Sequence, residues 1–127
     1  MAKSKKKPES PFVGRWHIES MDQWDEDFIN AEVRGFLEFD ARGGGEFQFG
    51  YVHGWMDCRL TTRDGEPAVE WTWEGNDEMD PAQGRGWAVR KGDELHGRIF
   101  FHQGDDSGFV AARAAPEQGT KSKKGKG

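Results

Sequence analysis

The densest run of chemically capable side chains is Glu70-Trp71-Thr72-Trp73-Glu74, continued by Gly75-Asn76-Asp77-Glu78-Met79-Asp80. Glu74, Asp77, Glu78 and Asp80 could gather oxygen ligands for a hard cation such as Ca²⁺, or supply a carboxylate pair for proton transfer. Their spacing does not fit an EF-hand loop. A solvated acidic loop, with Asn76 and Asp77 in turn roles, accounts for them more simply. The 4 histidines, His17, His53, His96 and His102, are dispersed with no His-x-His or His-Glu-x-x-His pattern, so a zinc site would have to be assembled by the fold. Cys58 is the single cysteine, which excludes an intrachain disulfide; it reads as a small buried hydrophobe unless its surroundings lower its pKa. Ser107, after Asp105-Asp106, lies outside any nucleophile elbow. Gly84-Arg85-Gly86 has neither the Gly-Lys-Ser/Thr nor the following helix of a phosphate loop. No catalytic residue, metal or cofactor is assigned from these patterns. An enzyme requires two or more of His53, Glu70, Glu74, Asp77 and His102 to converge in one cleft with perturbed pKa values.

The elements that must position these groups are announced by the aromatic residues. All 9 Phe, 6 Trp and 1 Tyr fall between Phe12 and Phe109, in short alternating segments separated by Gly- and Asp-rich turns. That pattern predicts a small antiparallel β-protein with an aromatic interior. In Glu46 to Trp55, the residues Phe47, Phe49, Tyr51, His53 and Trp55 share one face of a continuous strand. Other strands are expected at Phe12–Glu19, Val33–Asp40, Asp57–Arg63, Val69–Glu74, Arg85–Lys91, Leu95–His102 and Gly108–Arg113. Asp64-Gly65 makes a hairpin turn, and Gly75–Gly84 forms the one longer loop. Ser20 with Gln23 reads as a capping box, after which Met21, Trp24 and Phe28 share one face of an amphipathic helix over Met21–Ala31. The short sequential links predict an all-β fold, a small antiparallel up-and-down barrel of about eight strands with one short helix after the first. An open curved sheet or a two-sheet sandwich is the competing arrangement.

Charge is segregated along the chain. Lys3, Lys5, Lys6 and Lys7 against Glu9 give residues 1–9 a charge of +3, and Lys121, Lys123, Lys124 and Lys126 against Glu117 give 116–127 the same, so that with a chain total of −5 residues 10–115 carry −11. The expected organisation is one barrel domain over 10–115 between two disordered basic tails, because Lys, Ser, Gly and Pro bury too little to fold. An acidic body argues against specific nucleic-acid binding, which needs positive charge on a shaped face. The N-terminal lysines are followed by no apolar run, so neither secretion nor a membrane span is expected and a cytoplasmic location is.

Phe12-Val13-Gly14-Arg15-Trp16-His17-Ile18, followed by Ser20 and Trp24-Asp25, resembles the opening of calycin proteins, the lipocalin and fatty-acid-binding-protein superfamily, over residues 12–28. Those proteins begin with a Gly-x-Trp strand, and the fatty-acid-binding proteins follow it with an acidic helical lid. Members usually have a basic residue near the last strand that packs over the first-strand Trp. Arg113 is the matching candidate here, whereas the Arg-x-Tyr ending of fatty-acid-binding proteins is missing. The resemblance implies a closed barrel whose lumen holds a small apolar or aromatic molecule, with Trp16 and Arg113 in structural roles. The residues themselves reach a compatible point, since the Phe47-to-Trp55 face plus Trp71 and Trp73 offers more bulk than a small core easily absorbs; rings that simply fill the barrel are the competing explanation. The expectation is a non-enzymatic binding protein with Trp24 and Phe28 in the lid and Tyr51, His53, Trp55, Trp71 and Trp73 facing the lumen, His53 being the polar group of the pocket. The alternative is an acidic protein-interaction module that engages a basic partner. An enzyme with a carboxylate and histidine site ranks third.

Overall fold

In the computed structural model, which describes residues 10–114, eight strands hydrogen-bond in chain order and close into a barrel. The tails expected at 1–9 and 116–127 lie outside the described residues. The order is β1 Gly14–Met21, α1 Glu26–Ile29, β2 Phe36–Phe39, β3 Gly44–Phe49, β4 Val52–Arg63, β5 Glu66–Asp77, β6 Asp80–Lys91, β7 Glu94–Phe101 and β8 Asp106–Arg113. Every neighbouring pair is antiparallel, and β8 returns to β1 from Trp16 opposite Arg113 to Met21 opposite Phe109. Closure leaves no sheet edge along the barrel wall, the arrangement the short links predict.

Alternation along each strand sends one side chain inward and the next outward. Inside, large rings lie opposite glycines. Trp71 pairs with Gly86, Trp73 with Gly84 and Phe47 with Gly54. A Cβ on Gly86 would come within 2.6 Å of the Trp71 ring, and one on Gly54 within 2.6 Å of Phe47 and 2.8 Å of Trp73. Such large-beside-small pairing lets indoles lie across the inner wall of a narrow barrel. Phe47 meets Trp73 edge-on with centroids 5.0 Å apart, and Phe39 approaches Trp71 at 5.7 Å, distances at which ring quadrupoles attract.

The two ends close differently. At the base, Trp16 is fully buried, donates Nε1–H to the Phe12 carbonyl at 2.9 Å and lies under the Arg113 guanidinium, 4.2 Å from the ring. Arg113 in turn donates to the Val13 carbonyl at 2.6 Å, tying the last strand to the start of the first. At the mouth, α1 lies over the hairpin of β3 and β4. The Gly50 N–H donates to the Ile29 carbonyl at 2.9 Å, and the Phe28 ring sits where a Gly50 side chain would have to go.

Several expected boundaries move, each for a local reason. The helix expected over Met21–Ala31 is one turn, Glu26–Ile29, because Met21 is still paired to Phe109 in the barrel. Asp25, not Ser20, is its cap, its carboxylate accepting from the Phe28 N–H at 3.0 Å. The loop expected at Gly75–Gly84 is strand: β5 and β6 stay paired to Asp77 and Asp80 and turn over Glu78 and Met79. The strand expected to run through Trp55 is a hairpin. Phe49 pairs with Val52 across a two-residue turn, in which Gly50 takes φ +58° at the position where a primed hairpin turn needs it. Asp64-Gly65 turns as expected, both with positive φ, and the β4–β5 arm from Arg59 to Pro67 projects with its side chains exposed. No helix among the described residues is long and apolar enough to cross a membrane.

Candidate functional site

The turn at Gly50-Tyr51 decides where the expected site residues end up. Residues paired across an antiparallel ladder face the same side, so Phe49 and Val52 both point in, and alternation then carries His53 and Trp55 outward with their partners Gln48 and Glu46. Tyr51 is 42% and Trp55 49% exposed. The structure therefore corrects the lumen assignment of Tyr51, His53 and Trp55. Trp71 and Trp73 do face the lumen, each 3% exposed. Trp73 donates Nε1–H to the Phe100 carbonyl at 3.2 Å, whereas Trp71 Nε1–H, lying over Gly86, has no acceptor among the described residues. Trp16, Leu37, Phe47, Phe49, Leu95 and Ile99 complete a lumen of side chains with no exposed surface.

Trp24 and Phe28 cover the mouth, in the place expected of a lid. Trp24 stacks on Phe28 at 5.9 Å and reaches Phe49 at 5.2 Å and Phe101 at 6.2 Å, so it forms the top layer of the barrel's ring column. The chain before α1 is anchored by buried Ser107, whose Oγ accepts from the Asp22 and Gln23 N–H groups at 3.0 and 3.2 Å. Beside these rings a crevice of about 420 Å³ opens between Trp24, Phe28 and Phe101 on its apolar side and Asp77, Asp80 and His102 on its polar side.

A larger space lies outside the barrel, an open groove of about 890 Å³ across β4, β5, β6 and β7. Trp55, Thr72, Glu74, Gln83, Arg85 and His102 line it, with Phe100 under the Arg85 guanidinium at 4.7 Å. Trp55 is held by His53, whose ring centroid is 4.2 Å away and whose Nε2 is 2.7 Å from Glu46 Oε2. Sequence reasoning missed Thr72, Gln83, Arg85 and Phe100 because their common face exists only once three neighbouring strands are in register. The outward parity of Thr72 and Arg85, which pair with each other, is the signal that was present.

The groups considered for chemistry come together only in part: His102 shares the groove with Glu74 and the mouth crevice with Asp77, whereas Glu70 lies farther along the outer face. His53 is engaged with Glu46. Among the described residues no three His, Cys, Asp or Glu side chains come together as a metal site, so Glu74, Asp77, Glu78 and Asp80 do not form the oxygen cage considered for them. Burial, reinforced by the nearby Asp40 and Asp57 carboxylates, pushes the Cys58 thiol up to about 12, which makes it a packing residue with a neutral sulfur. Asp40 is held below the usual carboxylate range by the Gly44 and Arg42 N–H groups, which donate to its Oδ1 at 2.9 and 2.7 Å and shape the β2–β3 turn. Compared with known proteins, the chain matches no family model, no curated protein and no solved structure.

Proposed function

We propose that this chain is a non-enzymatic binding protein on a calycin-like barrel, and that it takes a small molecule bearing an apolar or aromatic ring at the lidded mouth. Two features support the calycin-like reading: a guanidinium from the last strand over the first-strand Trp, here Arg113 at 4.2 Å from Trp16, and a short acidic helix across one end of a closed barrel. The observation that carries the binding site is the crevice beside Trp24, Phe28 and Phe101, where ring faces border open space of about 420 Å³. That is within the size range of small-ligand pockets. The lumen below it offers no such space, because its rings close on one another and on glycine backbone. Ligand therefore enters by the top layer alone, with Trp24 and Phe28 as the wall that adjusts.

Intrinsic tryptophan fluorescence, titrated with fatty acids, haem and aromatic metabolites, tests this. A saturable change is expected with at least one class and is expected to vanish in Trp24→Ala. Absence of a saturable change with every class removes the proposal.

A further inference from the structure

We infer that the groove outside the barrel, across β4 to β7, is a second binding site, for a neutral polyhydroxylated ring ligand, a sugar or short oligosaccharide that stacks on Trp55. It shares no ligand class with the mouth site and does not rest on that proposal, although His102 borders both. Its platform is fixed before any ligand arrives. The Trp55 indole is 49% exposed, and the His53 ring that packs against it is oriented by Glu46. A ring whose rotamer is braced in this way loses little freedom on stacking.

The polar groups around the platform are uncommitted. Among the described residues the side chains of Thr72, Glu74, Gln83, Arg85 and His102 make no hydrogen bond or ion pair, although all line the same groove. Asp57, at the groove edge, is instead taken by Arg59 Nη1 at 2.8 Å. A carboxylate, a carboxamide, a hydroxyl, an imidazole and a guanidinium together offer both donors and acceptors within one patch. Three ligand classes can be weighed against that set. A wholly apolar molecule would cover these groups without pairing them, which is costly. A phosphate or other anion would face the carboxylates of Glu74 and Asp57, and Glu70 farther along, while the arginines there are dispersed, Arg85 over Phe100, Arg63 over Trp87 and Arg59 paired with Asp57, which is not the clustered basic surface an anion requires. A saccharide has an apolar C–H face that suits the electron-rich face of an indole, and a rim of hydroxyls that each donate and accept. The groove also continues past Trp55 along Asn76, Pro81 and Ala82, and past Arg85 toward Glu70 and Trp87, so it follows β5 and β6 lengthwise and suits a linear oligomer.

The test titrates the full chain, by calorimetry and by two-dimensional NMR of the indole N–H groups, with tetrasaccharides of cellulose, xylan, mannan, chitin, starch and laminarin up to millimolar concentration, and with oligo(dT). At least one saccharide is expected to bind and to shift the Trp55 indole resonance. Trp55→Ala should weaken it at least tenfold and Glu74→Gln severalfold, with the circular-dichroism spectrum of the folded chain retained, while Trp24→Ala should leave it intact. Failure of every saccharide to bind, binding of oligo(dT) alone, or full retention of saccharide binding in both Trp55→Ala and Glu74→Gln overturns the inference.

Discussion

The lumen and the outer face of β4 to β7 use the same residue types for opposite purposes. Trp71 and Trp73 are 3% exposed and meet rings and glycine, whereas Trp55 is 49% exposed and Trp87 and Phe100 lie under Arg63 and Arg85 at 3.8 and 4.7 Å. Burying an indole inside stabilises the fold in proportion to area removed from water. Outside, the same indole contributes little to folding and leaves a flat apolar face available for a ligand. What separates the two is strand parity, and for Trp55 that parity is set by the turn at Gly50-Tyr51. An aromatic-rich β-sequence is therefore not evidence of one large core; it can be a core and a surface on opposite sides of one sheet.

Substitutions that strike the two faces should diverge most. Trp73→Ala, which empties a site shared with Phe47, Phe101 and Gly84, is expected to cost about 3–5 kcal/mol in urea denaturation. Gly54→Ala, which forces a methyl toward Phe47 and Trp73, should cost about 1–3 kcal/mol, although at a solvent-facing strand position the same change would be nearly neutral or stabilising. Asp25→Ala removes the cap of α1 and should cost about 1 kcal/mol, read as faster hydrogen exchange of the Phe28 amide with the barrel strands still protected. On the outer face, Trp55→Ala removes a ring that is only half buried and should cost about 1 kcal/mol, well below the loss in Trp73→Ala. A stability loss in Trp55→Ala equal to that in Trp73→Ala would erase the distinction between the faces.

A smaller effect concerns the β2–β3 turn. The folded pKa of Asp40 is lowered by its backbone hydrogen bonds, so its contribution is fully present above the ordinary carboxylate value of 3.8 and is lost as pH falls through the lower folded value. Asp40→Asn should therefore narrow its stability gap to the parent chain as pH drops below about 4, measured as the urea midpoint against pH. A gap that widens in acid would reverse the assignment.

Much of this was legible in the chain. Strand content, the up-and-down order and the inward placement of Phe47, Phe49, Trp71 and Trp73 follow from alternation, which is a local property. The inversion at Gly50-Tyr51 was hidden because a two-residue turn preserves the alternating look of Phe-Gln-Phe-Gly-Tyr-Val-His while exchanging the faces beyond it. Gly50, a glycine within an apparent strand, was the available sign. The helix was overextended since Met21 and Trp24 satisfy helical spacing, but the pairing of Met21 to Phe109 is a long-range contact that spacing cannot encode. The loop at 75–84 became strand through the same kind of information: Gly75 and Gly84 look like turn residues, yet they lie where the His53 and Phe100 backbones approach closely. The groove was least legible of all, because it joins outward residues of β4, β5, β6 and β7 whose juxtaposition comes only from register.

The central claim is that Trp71 and Trp73 point into a filled barrel while Trp55 points out, and the indole N–H resonances of the 6 tryptophans report it directly. With a soluble gadolinium chelate in the solvent, the account predicts strong broadening of the Trp55 indole signal and protection of those of Trp16, Trp71 and Trp73. Protection of Trp55 together with broadening of Trp71 and Trp73 would contradict it.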